Sequence, residues 1–186
     1  MTDKPLLDKN GIDLLFLEGY TSHAWLNRPV AEEVLKQLYD LAKFPPTSFN
    51  SQPGRYVFVK SPEAKKKLAE CLMPANVEQT LAAPVTVIVA HDMKFHNQLP
   101  RTYPAYDAKG FFDSTPAAIE PTAFRNGTLG GGYMMMAARG LGLDVGPMSG
   151  FDNGAVDKAF FAGTDWKSNF LFNLGYGDRS KRYPRG

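Results

Sequence analysis

A stretch of hydroxyl and amide side chains is the part of this sequence best suited to bind a ligand. It reads Pro46-Thr47-Ser48-Phe49-Asn50-Ser51-Gln52-Pro53 and contains no charged residue. Hydroxyls and amides both donate and accept hydrogen bonds, which suits a neutral heterocycle or a polyol. The same residue types also satisfy backbone groups in tight turns, so composition alone leaves both roles open.

Two other groups of residues invite a metal-binding or catalytic interpretation, and both fail on spacing. His91 and His96 are five positions apart, which does not place them on one helical face, and no third strong ligand is nearby. Ser149 lies one place away from the serine position of the hydrolase pattern G-x-S-x-G. The sequence therefore predicts neither a metal site nor a serine nucleophile.

The composition indicates one globular domain over residues 1–186. Hydrophobic residues make up 44% and charged residues 22% of the chain, enough for a sizeable core. The formal net charge of +2 is too small to indicate nucleic acid or a membrane surface as a partner. Cys71 is the only cysteine, and there is neither a signal-peptide core nor a membrane-length apolar run. We expect a cytoplasmic protein.

Hydrophobic periodicity predicts the elements on either side of the polar loop. Residues 30–44 form an amphipathic pattern that should end as a helix at Pro45. β-Favouring residues at 55–59 predict a strand directly after the loop. Ser61 and the following proline predict the start of another helix, with Lys65 to Lys67 on its solvated face. Residues 85–90 are nearly all apolar, which predicts a central strand covered on both faces.

One long apolar helix is predicted in the second half of the chain, over residues 116–143. It contains three consecutive glycines, Gly130 to Gly132. Each interior glycine costs about 1 kcal/mol relative to alanine, which suggests close approach of another backbone or a planar ligand. Residues 98–116 combine aromatics with turn formers, which fits either a mobile segment over a pocket or packing at a subunit boundary. Residues 168–177 are predicted to be a strand.

The polar loop resembles a motif of the flavin-dependent nitroreductase family. Residues 46–53 are similar to the family pattern P-S-S-x-N-x-Q-P, whose polar groups contact FMN. Residues 144–152 similarly resemble the family's G-x-x-G-G-F turn, whose backbone amides face the N5 and O4 edge of the flavin. The resemblance runs in order from Thr21 to Arg185. It implies an α+β, nitroreductase-like fold: a central mixed β-sheet flanked by helices, with a long buried central helix at a homodimer interface.

The resemblance assigns contacts with the flavin ring to neutral groups. The implied residues lie in three segments: Thr47, Ser48 and Asn50; Asn76; and Pro147, Met148, Ser149 and Gly150. Amides near Met148 to Gly150 would stabilise charge that develops on the reduced ring. Gln79 stands where the family often has a lysine.

The resemblance places the phosphate and ribityl contacts near the two ends of the chain. In the segment that corresponds to R-S-x-R-x-F, Tyr20 and His23 replace arginines. Thr21, Ser22 and His23 retain hydrogen-bonding groups for the cofactor, although a surface turn explains Ser22 and His23 about equally well. Lys181 and Arg185 are the candidates for the family's C-terminal basic pair.

Stretches such as Phe-Arg-Asn and Gly-Tyr-Gly-Asp are most similar to the malonic semialdehyde reductases within this family. The resemblance implies bound FMN, with NADH or NADPH as a transient donor. The absence of a G-x-G-x-x-G fingerprint fits a nicotinamide that docks over the flavin. The implied reaction is hydride transfer through flavin N5 to a small molecule, such as malonic semialdehyde, a quinone or a nitroaromatic compound.

Two other functional classes stay open. A flavin-binding protein for storage or sensing, with little turnover, is suggested by the altered arginine segment. A dimeric scaffold without a cofactor would be colourless even after FMN is added.

Overall fold

The computed structural model describes residues 4–184 and 186. These residues contain several helices and four β-strands. The helical segments among them are α1 (Lys9–Ile12, continued by a π-helical turn at Asp13–Leu17), α2 (Glu32–Ala42), α3 (Pro62–Ala69), α4 (Pro74–Ala82), α5 (Leu99–Thr102), α6 (Ala108–Ser114), α7 (Ile119–Gly140) and α8 (Asn153–Phe160). The strands are β1 (Gly54–Val59), β2 (Val85–Asp92), β3 (Asp144–Met148) and β4 (Trp166–Gly175). No helix in the described ranges has the length and apolar content that a bilayer crossing requires.

The four strands form one sheet in the order β1-β2-β4-β3. All three strand pairs are antiparallel; Val87 lies opposite Phe172 in β4, and Phe172 also lies opposite Pro147 in β3. A parallel bridge between Thr21 and Val145 adds the second direction at the β3 edge. This bridge lies outside the four strands, so the expected mixed direction is limited to it and the strands themselves pair antiparallel.

Strand β2 is covered on both faces, as its apolar sequence predicts. All residues from Val85 to Ala90 are buried. Val87 packs in a cluster with Leu38 of α2 and Met134 of α7. Ile88 points to the opposite face, where α3 and α8 cover the sheet. This alternation follows from the two-residue repeat of a strand.

Helix α3 begins as predicted, but one of its lysines is buried. The Ser61 side chain caps its first turn, and Pro62 follows. Lys65 is only 5% exposed, so the expectation that it lies on a solvated face is wrong. Its Nζ donates to the carbonyl of Thr80 at 2.7 Å and to that of Ala83. These carbonyls close α4, and a helix C-terminus favours a cation.

Two of the three central glycines let α7 approach the sheet. A Cβ at Gly130 would overlap Tyr56 Oη, and one at Gly131 would lie 2.5 Å from Phe170 Cζ. The close neighbours are therefore aromatic side chains of β1 and β4, instead of a second backbone or a planar ligand. Gly132 has no atom within 4 Å of its Cβ position.

Residues 98–116 are helical over much of their length and contribute to a third core cluster. Leu99 and Phe112 are buried there with Phe95 and Ala123. The packing role is thus present within a single chain. Three aromatic side chains of this segment remain exposed: Tyr103, Tyr106 and Phe111.

Candidate functional site

The polar loop between α2 and β1 has a left-handed backbone conformation at three positions. Phe49, Asn50 and Gln52 have φ values of 54°, 49° and 44°, which residues other than glycine rarely adopt. Gln52 N donates to Thr47 Oγ1 at 3.2 Å, and Gln52 Nε2 donates to Asn50 Oδ1 at 2.6 Å. Such conformations persist only where surrounding contacts hold them, and they are frequent at ligand-binding sites.

Two helices hold the loop from the side of the core. Asn126 of α7 accepts a hydrogen bond from Ser48 N at 2.9 Å. Asn50 Nδ2 donates to the carbonyl of Thr102 in α5, also at 2.9 Å. Together with the bond from Gln52, this leaves the Asn50 amide one N–H and one lone pair for a ligand. Ser48 and Asn50 are exposed, as a binding role requires.

Arg55 fixes the C-terminal end of the loop. It donates to the Gln52 carbonyl at 3.0 Å and pairs with Asp92 at 2.7 Å. Both side chains of the pair are largely buried, with 26% and 15% exposed. An ion pair with this burial and a direct hydrogen bond holds its geometry better than an exposed pair does.

Phe49 joins the loop to the aromatic segment of α5 and α6. Its ring is stacked on Tyr106 at 6.0 Å between centroids, and it meets Tyr103 and Phe112 edge-on at 5.8 and 6.1 Å. Aromatic pairs at these separations attract each other beyond the effect of burial alone. The loop and residues 98–114 therefore form one packed unit.

A cavity of about 100 Å³ lies beneath the loop. Its lining includes Lys43, Thr47, Tyr56 and Asn126. Burial, with a smaller contribution from nearby Tyr39, raises the pKa of Tyr56 to about 12. The phenol is therefore a neutral hydrogen-bonding group at ordinary pH.

A second cluster forms around Asn76 at the start of α4. Asn76 Nδ2 donates to the Gly150 carbonyl at 2.9 Å. Gln79 Nε2 donates to Asn76 Oδ1 at 2.7 Å, and Gln79 Oε1 lies 3.0 Å from His23 Nδ1. The structure thus brings together three of the segments that the resemblance assigned to the cofactor. We call His23, Asn76, Gln79 and Gly150 the relay cluster.

The turn after β3 offers fewer amides than its sequence suggests. Pro147 has no amide hydrogen, and Met148 still lies opposite Leu171 in the sheet. The turn proper is therefore Ser149 and Gly150, which are partly accessible at the sheet edge. Asp152 caps α8 by accepting a hydrogen bond from Ala155 N at 2.9 Å.

The N-terminal segment is built into the edge of the sheet. Ser22 is buried and donates its backbone N–H to the Val145 carbonyl at 2.9 Å. A Cβ at Gly177 would lie 2.5 Å from Ser22 Oγ, so the two segments are in close contact. Thr21 and His23 are exposed on either side of it. Ser22 therefore has a structural role, and its neighbours present their side chains outward.

The C-terminal basic cluster meets this segment through a residue that the resemblance did not single out. Arg182 lies 3.7 Å from Asp144 and 4.4 Å from the centre of the Tyr20 ring. The Tyr183 ring meets His23 edge-on at 5.4 Å. Lys181 is exposed in a short turn, whereas Arg185 lies outside the described residues. Arg182 thus packs on the N-terminal segment at Tyr20.

The loop and the relay cluster are separate within one chain. Among the described residues, no hydrogen bond, ion pair or ring contact joins residues 47–52 to the relay cluster. Each is held by its own contacts to the core. A ligand that touches both must therefore bridge them, or be bound between two copies of the chain.

His91 in β2 and His96 after it are buried separately. Burial lowers the pKa of both His91 and His96, so both are neutral at ordinary pH. Among residues 4–184 and 186, no three His, Cys, Asp or Glu side chains converge as metal ligands would. His91 packs edge-on against Phe124, and His96 lies 3.9 Å from Asp113.

An apolar groove of about 960 Å³ runs along the outer face of α7. Phe124, Leu129 and Tyr133 line it and are 50%, 45% and 44% exposed. The long helix is therefore buried on its sheet-facing side and open on the other. Apolar patches of this extent usually mark an interaction surface.

Sequence reasoning missed three residues that position the site. Asn126 bonds Ser48 from 78 residues away, and Arg55 is itself held by Asp92, 37 residues away; periodicity does not reveal such contacts. Gln79 stands out in the sequence only as a departure from the family pattern, which does not reveal its bonds to His23 and Asn76.

Known proteins share both the sequence and the fold of this chain. A family model described as "Nitroreductase family" matches residues 21–176. A Burkholderia lata protein named "Putative NADH dehydrogenase/NAD(P)H nitroreductase" is 55% identical over 179 residues, covering 96% of this chain and 92% of that protein. A Stutzerimonas stutzeri protein of the same name is 53% identical over 182 residues, covering 96% and 93%.

Solved structures agree on the architecture. The crystal structure of a "putative nitroreductase" from Exiguobacterium sibiricum in complex with FMN superposes with a TM-score of 0.83. It is 22% identical, and the match covers all of this chain and 95% of that one. A Bacillus subtilis protein superposes with a TM-score of 0.85 at 21% identity, covering 96% and 94%. This chain belongs to the nitroreductase family.

Proposed function

We propose that the protein binds FMN and transfers a hydride from NADH or NADPH, through the flavin, to a small acceptor. The chain is an NAD(P)H-dependent flavin oxidoreductase of the nitroreductase family. The observation that carries the proposal is the relay cluster, which joins the N-terminal segment, α4 and the Gly150 turn. These are the segments that the family pattern assigns to the flavin.

The donor set of this chain fits FMN. Thr47, Ser48 and Asn50 offer neutral donors and acceptors, which suit the polar edge of a flavin ring. Gly150 lets Asn76 approach the turn closely, because a Cβ there would lie 2.5 Å from Asn76 Nδ2. Arg182 and Lys181 supply positive charge beside the N-terminal segment, where a phosphate would be neutralised.

Each group has a limited task in this proposal. Asn50 and Asn76 orient the ring, and the amides of Ser149 and Gly150 stabilise negative charge at its edge. Thr21 and His23 face outward, where they can bind the polyol chain. Bound FMN would accept a hydride from the nicotinamide and deliver it to the acceptor, while the protein supplies position and electrostatics.

We further propose that the protein is a homodimer that uses the α7 groove as its interface. The groove exposes Phe124, Leu129 and Tyr133 together. Residues 12–17 expose more apolar side chains next to the groove, where Arg139 donates to the Leu15 carbonyl at 3.1 Å. A second copy would cover both surfaces and bring its own loop to the cofactor.

For the acceptor, we propose a small aldehyde such as malonic semialdehyde, with a quinone or a nitroaromatic compound as the alternative. The similarity of residues 141–152 and 175–178 to malonic semialdehyde reductases supports the aldehyde. A flavin-binding protein with little turnover remains the second candidate function. Tyr20, His23 and Gln79 favour it, because they replace three cations of the family pattern. We propose a cytoplasmic location.

The visible spectrum of the purified protein tests this function. Protein mixed with FMN and then desalted should keep a flavin spectrum that bleaches with NADH or NADPH. Reoxidation by malonic semialdehyde, a quinone or a nitroaromatic compound under anaerobic conditions should then identify the acceptor. Retained flavin that no nicotinamide reduces would favour storage or sensing. A colourless protein after desalting would refute the enzymatic proposal.

A further inference from the structure

The relay cluster is a continuous chain of side-chain hydrogen bonds between distant parts of the sequence. His23 Nδ1 lies 3.0 Å from Gln79 Oε1, and Gln79 Nε2 lies 2.7 Å from Asn76 Oδ1. Asn76 Nδ2 then reaches the Gly150 carbonyl at 2.9 Å. The chain therefore connects the N-terminal segment to the turn after β3, through α4.

The Gly150 carbonyl determines the direction of every bond in this chain. A carbonyl oxygen only accepts, so Asn76 must present its nitrogen to Gly150 and its oxygen to Gln79. Gln79 must then present its nitrogen to Asn76 and its oxygen to His23. Because an amide oxygen also only accepts, the proton of neutral His23 must be on Nδ1.

There is no room for this arrangement to relax at the Gly150 end. A Cβ on Gly150 would lie 2.5 Å from Asn76 Nδ2 and 3.3 Å from Met73 Sδ. The Gly150 carbonyl also accepts from Met73 N at 3.0 Å, which fixes its orientation. Gln79 therefore links Asn76, which is held by the fixed Gly150 carbonyl, to the His23 imidazole.

We propose that Gln79 is a positioning residue of the cofactor site, and that it holds Asn76 in one orientation and His23 as the Nδ1–H tautomer. This inference rests on the proposed FMN-binding function. In this tautomer, Nε2 of neutral His23 accepts a hydrogen bond. This Nε2 therefore suits a hydroxyl of the polyol chain. It cannot donate to a phosphate oxygen, whereas an arginine at this position would.

Two substitutions of Gln79 separate the bonds at its two ends. Gln79→Met has a similar length and removes both bonds. Gln79→Glu keeps an acceptor for His23 but places a carboxylate against Asn76 Oδ1, so Asn76 must turn away from Gly150. Glu78→Gln, on the exposed side of the same helix, is the matched control.

Two measurements test the inference. The tautomer of His23 is read from imidazole ¹⁵N shifts in FMN-free protein at about pH 8.5, where an ordinary imidazole is neutral. FMN affinity is read from flavin fluorescence. We expect Nδ1–H in the wild type, in Gln79→Glu and in Glu78→Gln, and a mixture in Gln79→Met. We expect both Gln79 variants to bind FMN at least about tenfold more weakly than the wild type, because each loses one uncharged positioning contact.

The outcomes distinguish the inference from the function on which it rests. A proton on Nε2 of wild-type His23 would overturn the relay, whether or not FMN binds. Equal FMN affinity in the wild type and Gln79→Met would overturn the positioning role. If the tautomer is Nδ1–H but wild-type protein binds no FMN, the proposed function fails, and the cofactor role of Gln79 fails with it.

Discussion

An added methyl group at Gly150 would collide with the side chain of Asn76, which packs against this turn. A Cβ there would lie 2.5 Å from Asn76 Nδ2. Gly150→Ala should therefore displace Asn76 and weaken FMN binding about tenfold or more, measured by fluorescence titration. Gly140→Ala is the control, because its Cβ would meet Leu15 at an ordinary 3.7 Å. Similar FMN affinities for the two variants would contradict the role given to Asn76.

Lys65 closes the C-terminus of α4 with a buried ammonium group. Lys65→Met would leave the Thr80 and Ala83 carbonyls without this donor. We expect the free energy of unfolding to fall by about 1–3 kcal/mol, measured by urea denaturation. Lys66→Met, an exposed neighbour on the same helix, should change it by less than about 0.5 kcal/mol. A loss of the same size in both variants would show that burial of Lys65 is not the cause.

The same lysine should make stability depend on pH in the alkaline range. Burial lowers the pKa of Lys65 from 10.5 to about 8. Between these values the unfolded chain holds the proton that the folded chain has lost, so the free energy of unfolding rises with pH. The stability difference between the wild type and Lys65→Met should therefore grow from pH 8 to pH 10. A constant difference would be evidence against the shift.

Among the elements, the loop between α2 and β1 depends most on contacts outside itself. Arg55 holds the Gln52 carbonyl and pairs with Asp92. Arg55→Met should therefore let the left-handed residues relax, lowering FMN affinity and reducing stability by about 1–3 kcal/mol. Lys43→Met, which breaks the exposed pair with Asp40, should change stability by less than about 1 kcal/mol. Undiminished FMN affinity in Arg55→Met would mean that the loop keeps its shape without this brace.

Elements with a regular repeat were predictable from the sequence. The apolar spacing of α2 and the unbroken apolar run of β2 reflect burial on one face and on two faces. Side-chain contacts between distant segments were not predictable in this way. Lys65 belongs to a lysine triplet that suggests a solvated surface, yet the end of α4 lies above it. His23 and Gln79 are 56 residues apart, so only the folded chain shows that they meet.

At the scale of the whole molecule, the open side of α7 is the surface that we propose a second copy covers. Leu129 and Tyr133 are exposed in the groove, and a charge there would have to be buried on association. Leu129→Glu should therefore convert a dimer to a monomer in analytical ultracentrifugation and reduce FMN retention. Lys66→Glu, on a helix that covers the opposite face of the sheet, should leave both unchanged. A wild-type protein that sediments as a monomer would refute the proposed dimer.

The stacking of Phe49 against Tyr106 has a consequence for how this protein could diverge. One residue belongs to the loop proposed to hold the cofactor, and the other belongs to the segment that packs over it. A lineage that changes the aromatic residues of 98–114 would also remove support from the left-handed loop. Under the proposed function, cofactor retention therefore limits how this segment can change. Among relatives, substitution of the aromatic residue at position 106 should be accompanied by a compensating substitution at position 49.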